Sequence, residues 1–217
     1  MIDLYCERID PGLWAEPLNA VTNLAFLVAA LAAWLQARRL NAATFEIGLL
    51  SGLIAAIGIG SGLFHTFATT WAFVADVTPI LLYQITYLWI YSRRVMRLPV
   101  LYRLALVALF LIAGLLTLPF RDLLSGSLSY IPALLLLLAL GAYHYSSTDR
   151  GRTLLFWSAA ILLTSLTFRT MDLAVCAQLP IGTHFLWHLL NGLLLYLTVY
   201  ALLVHTGQRH ATFTGRT

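Results

Sequence analysis

The chain has no lysine; all thirteen of its basic residues are arginine. Charge of either sign is scarce, at 10% of residues against roughly 25% in a globular domain, which excludes a water-solvated fold. A basic leader is missing too. The first sixteen residues carry Asp3, Glu7, Asp10 and Glu16, so the first apolar run is expected to serve as its own signal anchor. No internal repeat, low-complexity run or phosphate-binding loop is present. The pI of 9.3 invites a nucleic-acid reading, which the placement of the arginines excludes.

What remains is hydrocarbon-soluble sequence, 60% apolar with a mean hydropathy of +0.84. About 20 apolar residues cross a bilayer as a helix. Seven such segments can be drawn, at about 17–37, 46–66, 75–92, 100–118, 128–146, 154–172 and 183–204. Each is continuously apolar rather than alternating, so helices are expected and a barrel is not. The expected fold is an all-α seven-helix membrane bundle over 1–217, with 1–16 an acidic lead-in and 207–217 a polar tail.

The arginines orient it. Counting sides by helix parity, Arg38, Arg39, Arg93, Arg94, Arg97, Arg103, Arg150, Arg152, Arg209 and Arg216 fall on one side, and Arg8, Arg121 and Arg169 on the other. The positive-inside rule makes the first side cytoplasmic. The N-terminus is therefore expected outside and the C-terminal tail in the cytoplasm. Arginine without lysine suggests a GC-rich bacterium, hence an inner-membrane protein with its outer face toward the periplasm.

Against this background a few residues need a reason. Gly60-Ser61-Gly62-Leu63-Phe64-His65 closes the second span, Asp76 opens the third, and His184-Phe185-Leu186-Trp187-His188 opens the seventh. Parity puts His65, Asp76, His184 and His188 at one depth, roughly 3–8 Å below the outer surface at 1.5 Å per residue. Glu16, Asn19 and Asn23 give the first span a polar face at that same level, and such a face must meet protein or an ion. Three imidazoles and a water form an open tetrahedral catalytic zinc site. Zinc brings the pKa of a bound water to about 7 and polarises a carbonyl. Asp76 is the candidate general base and then acid, and Ser61 a candidate donor to a developing oxyanion. Taken singly, each residue has a blander reading: a helix–helix hydrogen bond for a histidine, a helix cap for Asp76, packing for Ser61. Convergence at one depth favours the site. His205 and His210 are placed in the cytoplasmic tail and His144 is read as structural. Tyr83, Tyr87, Trp89 and Phe185 are candidate walls of a lipid cavity. Cys6 and Cys176 both fall on the outer side, where a disulfide and two free thiols are each compatible with the sequence.

The combination Glu16-x2-Asn19-x3-Asn23, Gly60-Ser61-x3-His65, Asp76, Asp172-x3-Cys176 and His184-x2-Trp187-His188 resembles the alkaline ceramidase family. That family belongs to a wider group of seven-helix membrane hydrolases that includes adiponectin-type receptors. The resemblance runs from Cys6 to about Tyr196. It implies zinc on His65, His184 and His188, with Ser61 and Asp76 beside the catalytic water. It also implies hydrolysis of an N-acyl sphingoid amide, from ceramide or a related membrane lipid, to fatty acid and free base. A Cys6–Cys176 disulfide is implied as well. So is a calcium site in the acidic lead-in: Glu7 and Glu16 match it, whereas Leu4 stands where an acid is expected, with Asp3 one place off. A receptor-like relative with structural zinc, a bis-histidine haem carrier and an ion pathway through Asp76 are the rival readings. The absence of a polar trail to the inner face weighs against the pathway.

Overall fold

Every span predicted from hydropathy is a helix in the computed structural model, which describes residues 1–120 and 122–214, with 206–214 as backbone only. Arg121, Arg209 and Arg216, which the arginine count by sides includes, and His210, expected in the tail, lie outside the described side chains. The helices are α1 (Pro17–Thr22), α2 (Leu24–Arg39), α3 (Phe45–Phe67), α4 (Thr70–Arg94), α5 (Val100–Thr117), α6 (Ile131–Ser147), α7 (Leu154–Met171) and α8 (His184–Thr214). Together α1 and α2 make the first span, and seven spans are long and apolar enough to cross a membrane. No strand occurs among the described residues.

Chain neighbours pack on one another from α2 to α8, and α8 returns to pack on α2, closing a ring. The spans differ in what they bury. Helix α5 keeps only Phe110 from its surroundings, so it is the most lipid-facing, whereas α3, and α8 as far as His205, carry buried residues throughout. Close approach depends on small residues, as in other membrane bundles. A Cβ on Gly192 would lie 3.0 Å from the Ala25 carbonyl oxygen, so α8 meets α2 nearly backbone to backbone.

Three boundaries differ from expectation, and the first bears directly on the site. The third span begins at Thr70 rather than near 75, after an extended Thr69. Asp76 therefore lies in the helix's second turn and Pro79 inside the helix. Proline has no N–H to return to the carbonyl four residues back, so Ala75 loses its helical donor. Gly60 of α3 packs against that carbonyl so closely that any Cβ would overlap it. The interruption in α4 and the glycine in α3 are thus one feature, and it sets Ser61 beside Asp76. The fifth span starts earlier than 128, with a tight turn over Leu123–Tyr130 in which Leu124, Ser125 and Gly126 are left-handed. The last helix continues to Thr214, beyond the expected end at 204.

At the end of the bundle away from Pro17, Glu46 pairs with both Arg93 and Arg94, tying α3 to α4. His144 is fully buried and takes the Tyr91 hydroxyl at its Nδ1 (3.0 Å). His205 does not sit in a tail: it is buried in α8, with its ring centroid 6.4 Å from that of His144.

Candidate metal centre and the segment that covers it

His65, the last-turn residue of α3, and His184 and His188, one turn apart at the start of α8, meet at the end of the bundle where α1 begins. All three are buried to within 2% of full enclosure. Each offers one nitrogen within 4.8 Å of the others, and their ring centroids are 4.7, 4.8 and 5.2 Å apart. Among the described residues this is the only group of three or more His, Cys, Asp or Glu side chains so placed.

Hydrogen bonds aim the rings. His65 Nδ1 lies 2.5 Å from Glu16 Oε2. A carboxylate only accepts, so Nδ1 carries the proton and the Nε2 lone pair is left for an ion. His188 Nδ1 lies 2.9 Å from Thr22 Oγ1. That hydroxyl spends its own proton on the Leu18 carbonyl at 2.7 Å, so His188 donates from Nδ1 too. Its Nε2 is then a buried lone pair with no partner. His184 is held differently: its ring stacks on Tyr5 at 3.6 Å, and its Nδ1 is likewise buried without a partner. Buried imidazole nitrogens left unbonded are costly, and a divalent metal removes that cost. The donor set, three imidazole nitrogens within reach of one ion, fits zinc.

Asp76 is half-buried and accepts the Ser61 hydroxyl. It lies in the fields of His65 and Arg169. The structure thus brings Ser61 and Asp76 together.

The lead-in, residues 1–16, is a folded cover. The Ile2 N–H binds the Ala68 carbonyl at the α3–α4 turn (2.7 Å). Cys6 is bonded to Cys176, with Cα atoms 5.4 Å apart. The Cys6 N–H donates to Asp172 Oδ2 (2.9 Å), whose other oxygen caps α8 through the N–H groups of Thr183 (2.6 Å) and His184 (2.8 Å). Glu7 caps α1, accepting from the Leu18 and Asn19 N–H groups at 2.6 and 2.8 Å. Burial holds its carboxyl above the usual carboxylate range despite those two donors. Tyr5 receives Arg169, and burial pushes its phenol well up against that cation's pull. Arg169 also reaches the Ser125 carbonyl and Ser127 Oγ, and its guanidinium lies over the faces of Tyr130 and Trp187 at 5.5 and 5.7 Å.

The calcium expectation does not fit these residues. Calcium takes six to eight oxygens. Asp3 is exposed, both Glu7 oxygens serve helix N–H groups, and Glu16 holds Arg8 Nε (2.6 Å), Asn19 Nδ2 (3.1 Å) and His65. Burial raises the Glu16 carboxyl, and the His65, Arg8 and Asn19 hydrogen bonds outweigh that effect and hold it below the usual range. The Arg8 guanidinium already holds Glu16.

Below the histidines is an apolar cleft between the helices, lined among others by Phe26, Ile57, Leu137, Leu162 and Trp187. Phe26 and Trp187 form its end nearest the histidines, with ring centroids 6.3 Å from His188 and 6.4 Å from His184. Tyr83 and Tyr87 line it and hydrogen-bond Thr198 across it. Trp89 does not, because its ring carries Arg103 at 4.5 Å; Phe185 is not among the lining residues either.

Sequence reasoning missed Thr22, Tyr5, Arg8, Arg169 and the capping role of Asp172. Thr22 lies in the same polar first turns as Asn19. Arg8 was legible as a lone cation inside an acidic stretch.

No curated protein sequence matches the chain. The family model described as Ceramidase matches residues 5–214, from the tyrosine that stacks on His184 to the end of α8. With nearly the whole chain covered, and a buried three-histidine cluster inside the matched region, the chain belongs to the ceramidase family.

Proposed function

We propose that the protein is a zinc-dependent amidase of the membrane interior. It cleaves the N-acyl amide of ceramide, or of a related N-acyl lipid, to a fatty acid and a free sphingoid base or amine. The supporting observation is the placement of three buried, pre-aimed imidazoles and the Ser61–Asp76 pair directly above an apolar cleft. A ceramide amide rests at the headgroup–acyl boundary, the depth of the histidines, and its chains would fill the cleft below.

His65, His184 and His188 would hold the zinc, which supplies Lewis acidity toward the amide carbonyl and acidifies a water. Asp76 takes a proton from the attacking water at a carboxylate oxygen. The water oxygen bonds to the carbonyl carbon, the C–N bond breaks, and Asp76 returns the proton to the leaving nitrogen. Amide and water are consumed, and acid and amine are formed. Ser61 orients the Asp76 carboxylate throughout. The apolar walls and the covering lead-in restrict bulk water. The arginine distribution supports an outward-facing site, periplasmic in a bacterial inner membrane.

The test is fatty-acid release from labelled ceramides by purified protein, with metal content measured alongside. Wild type is expected to hold zinc and release fatty acid, His188→Ala to lose both, and Asp76→Asn to keep zinc and lose activity. Zinc retained by a wild type that cleaves no N-acyl lipid, with Asp76→Asn indistinguishable from it, would instead support a receptor-like protein with structural zinc.

A further inference from the structure

We propose that Arg8 is a built-in replacement for the calcium of this site, fixing Glu16, and through it the zinc ligand His65, without any second metal. The proposal rests on the zinc reading above.

The geometry is specific. Arg8 is 4% exposed. Its Nε donates to Glu16 Oε1 at 2.6 Å, one terminal nitrogen to the His65 carbonyl at 2.8 Å, and the other to the Gly12 carbonyl at 3.4 Å. A single side chain thus grips both the carboxylate that aims His65 and the backbone of His65 itself. Glu16 spends its second oxygen on His65 Nδ1 and Asn19. A guanidinium keeps its charge at any working pH and presents donors in a rigid fork, so it can do continuously what a bound cation does only when loaded. Its backbone is fixed as well, two residues beyond the Cys6–Cys176 bond. The buried acids of the lead-in, Glu7 and Glu16, are already engaged. Glu7 is consumed by α1, Asp3 is exposed, and Leu4 is apolar. Calcium could enter only by expelling a buried cation that already neutralises Glu16. Arg8 is a positioning residue: it acts on the metal through Glu16 and His65.

The experiment uses the full chain in detergent, loaded with zinc. Zinc retention against a competing chelator and the thermal midpoint are measured in EGTA and in millimolar calcium. Wild type is expected to give the same values in both. Arg8→Ala, assayed well below its own midpoint, is expected to hold zinc about 10–100-fold more weakly, the usual effect of losing a partner that orients a ligand. The proposal is overturned if calcium raises the wild-type midpoint or zinc retention, or if Arg8→Ala in EGTA binds zinc as tightly as wild type. Should Arg8→Ala fail to fold, the wild-type comparison decides alone. A wild type that binds no zinc sinks the hydrolase reading, and its midpoint with and without calcium still tests this one.

Discussion

Replacing Glu16 with glutamine changes little in shape and removes the charge on which two separate functions depend. In the native site Oε1 faces Arg8 Nε at 2.6 Å and Oε2 faces His65 Nδ1 at 2.5 Å. Glutamine must turn its NH2 toward one of them. Facing His65, the amide donates to Nδ1 and forces the proton onto Nε2, the nitrogen the metal needs. Facing Arg8, it sets donor against donor and leaves a buried guanidinium uncompensated, which in other proteins costs about 3–5 kcal/mol. Arg8 keeps the Gly12 and His65 carbonyls, so the lower end of that range is expected here. Loss of the partner orienting a ligand weakens metal affinity by about 10–100-fold, or roughly 1.4–2.7 kcal/mol. Thermal unfolding of the apo protein reads the first cost, and zinc titration against a chromophoric chelator reads the second. A Glu16→Gln protein with both zinc affinity and apo stability unchanged would refute the claim that this carboxylate holds Arg8 and the His65 tautomer at once.

Thr22→Val removes the acceptor for His188 Nδ1 while keeping the side-chain shape. Zinc affinity should fall about tenfold with little change in apo stability, measured by the same titration. Gly60→Ala sets a methyl against the Ala75 carbonyl and 3.2 Å from the Asp76 nitrogen. Parting α3 from α4 should cost about 1–3 kcal/mol in thermal unfolding and reduce fatty-acid release more than zinc binding, since it separates Ser61 from Asp76. Cys6→Ser opens a link spanning 170 residues. A loss of about 2–4 kcal/mol is expected, and wild type treated with reductant should unfold at the temperature of the variant.

The span pattern was legible because lipid imposes a simple rule, about 20 apolar residues for each crossing. The depth argument worked for the same reason. Parity and helical rise alone place His65, His184 and His188 on one level, and the structure brings them into one cluster. Where α4 begins was not legible, because Thr70-Trp71-Ala72-Phe73-Val74 is compatible with loop or helix, and only packing on α3 selects the helix. A helix starting near 75 would hold Pro79 in its first turn, whereas the helix from Thr70 holds it inside. The cover was the least legible part. Arg8, Tyr5 and Glu7 act through partners in α1, α3 and α7 that are distant in sequence, and hydrophobic periodicity carries no information about such contacts. The same holds for His205, whose neighbour His144 lies on another helix.

The central claim, that imidazoles from the second and seventh spans share one catalytic ion, is tested most directly by metal analysis of the purified chain. About one zinc per wild-type molecule is predicted, as for a three-histidine site. His65→Ala and His188→Ala are each predicted to lose it, together with fatty-acid release. A wild type without zinc after growth in zinc-supplied medium, or a His188→Ala protein that retains it, would contradict the account.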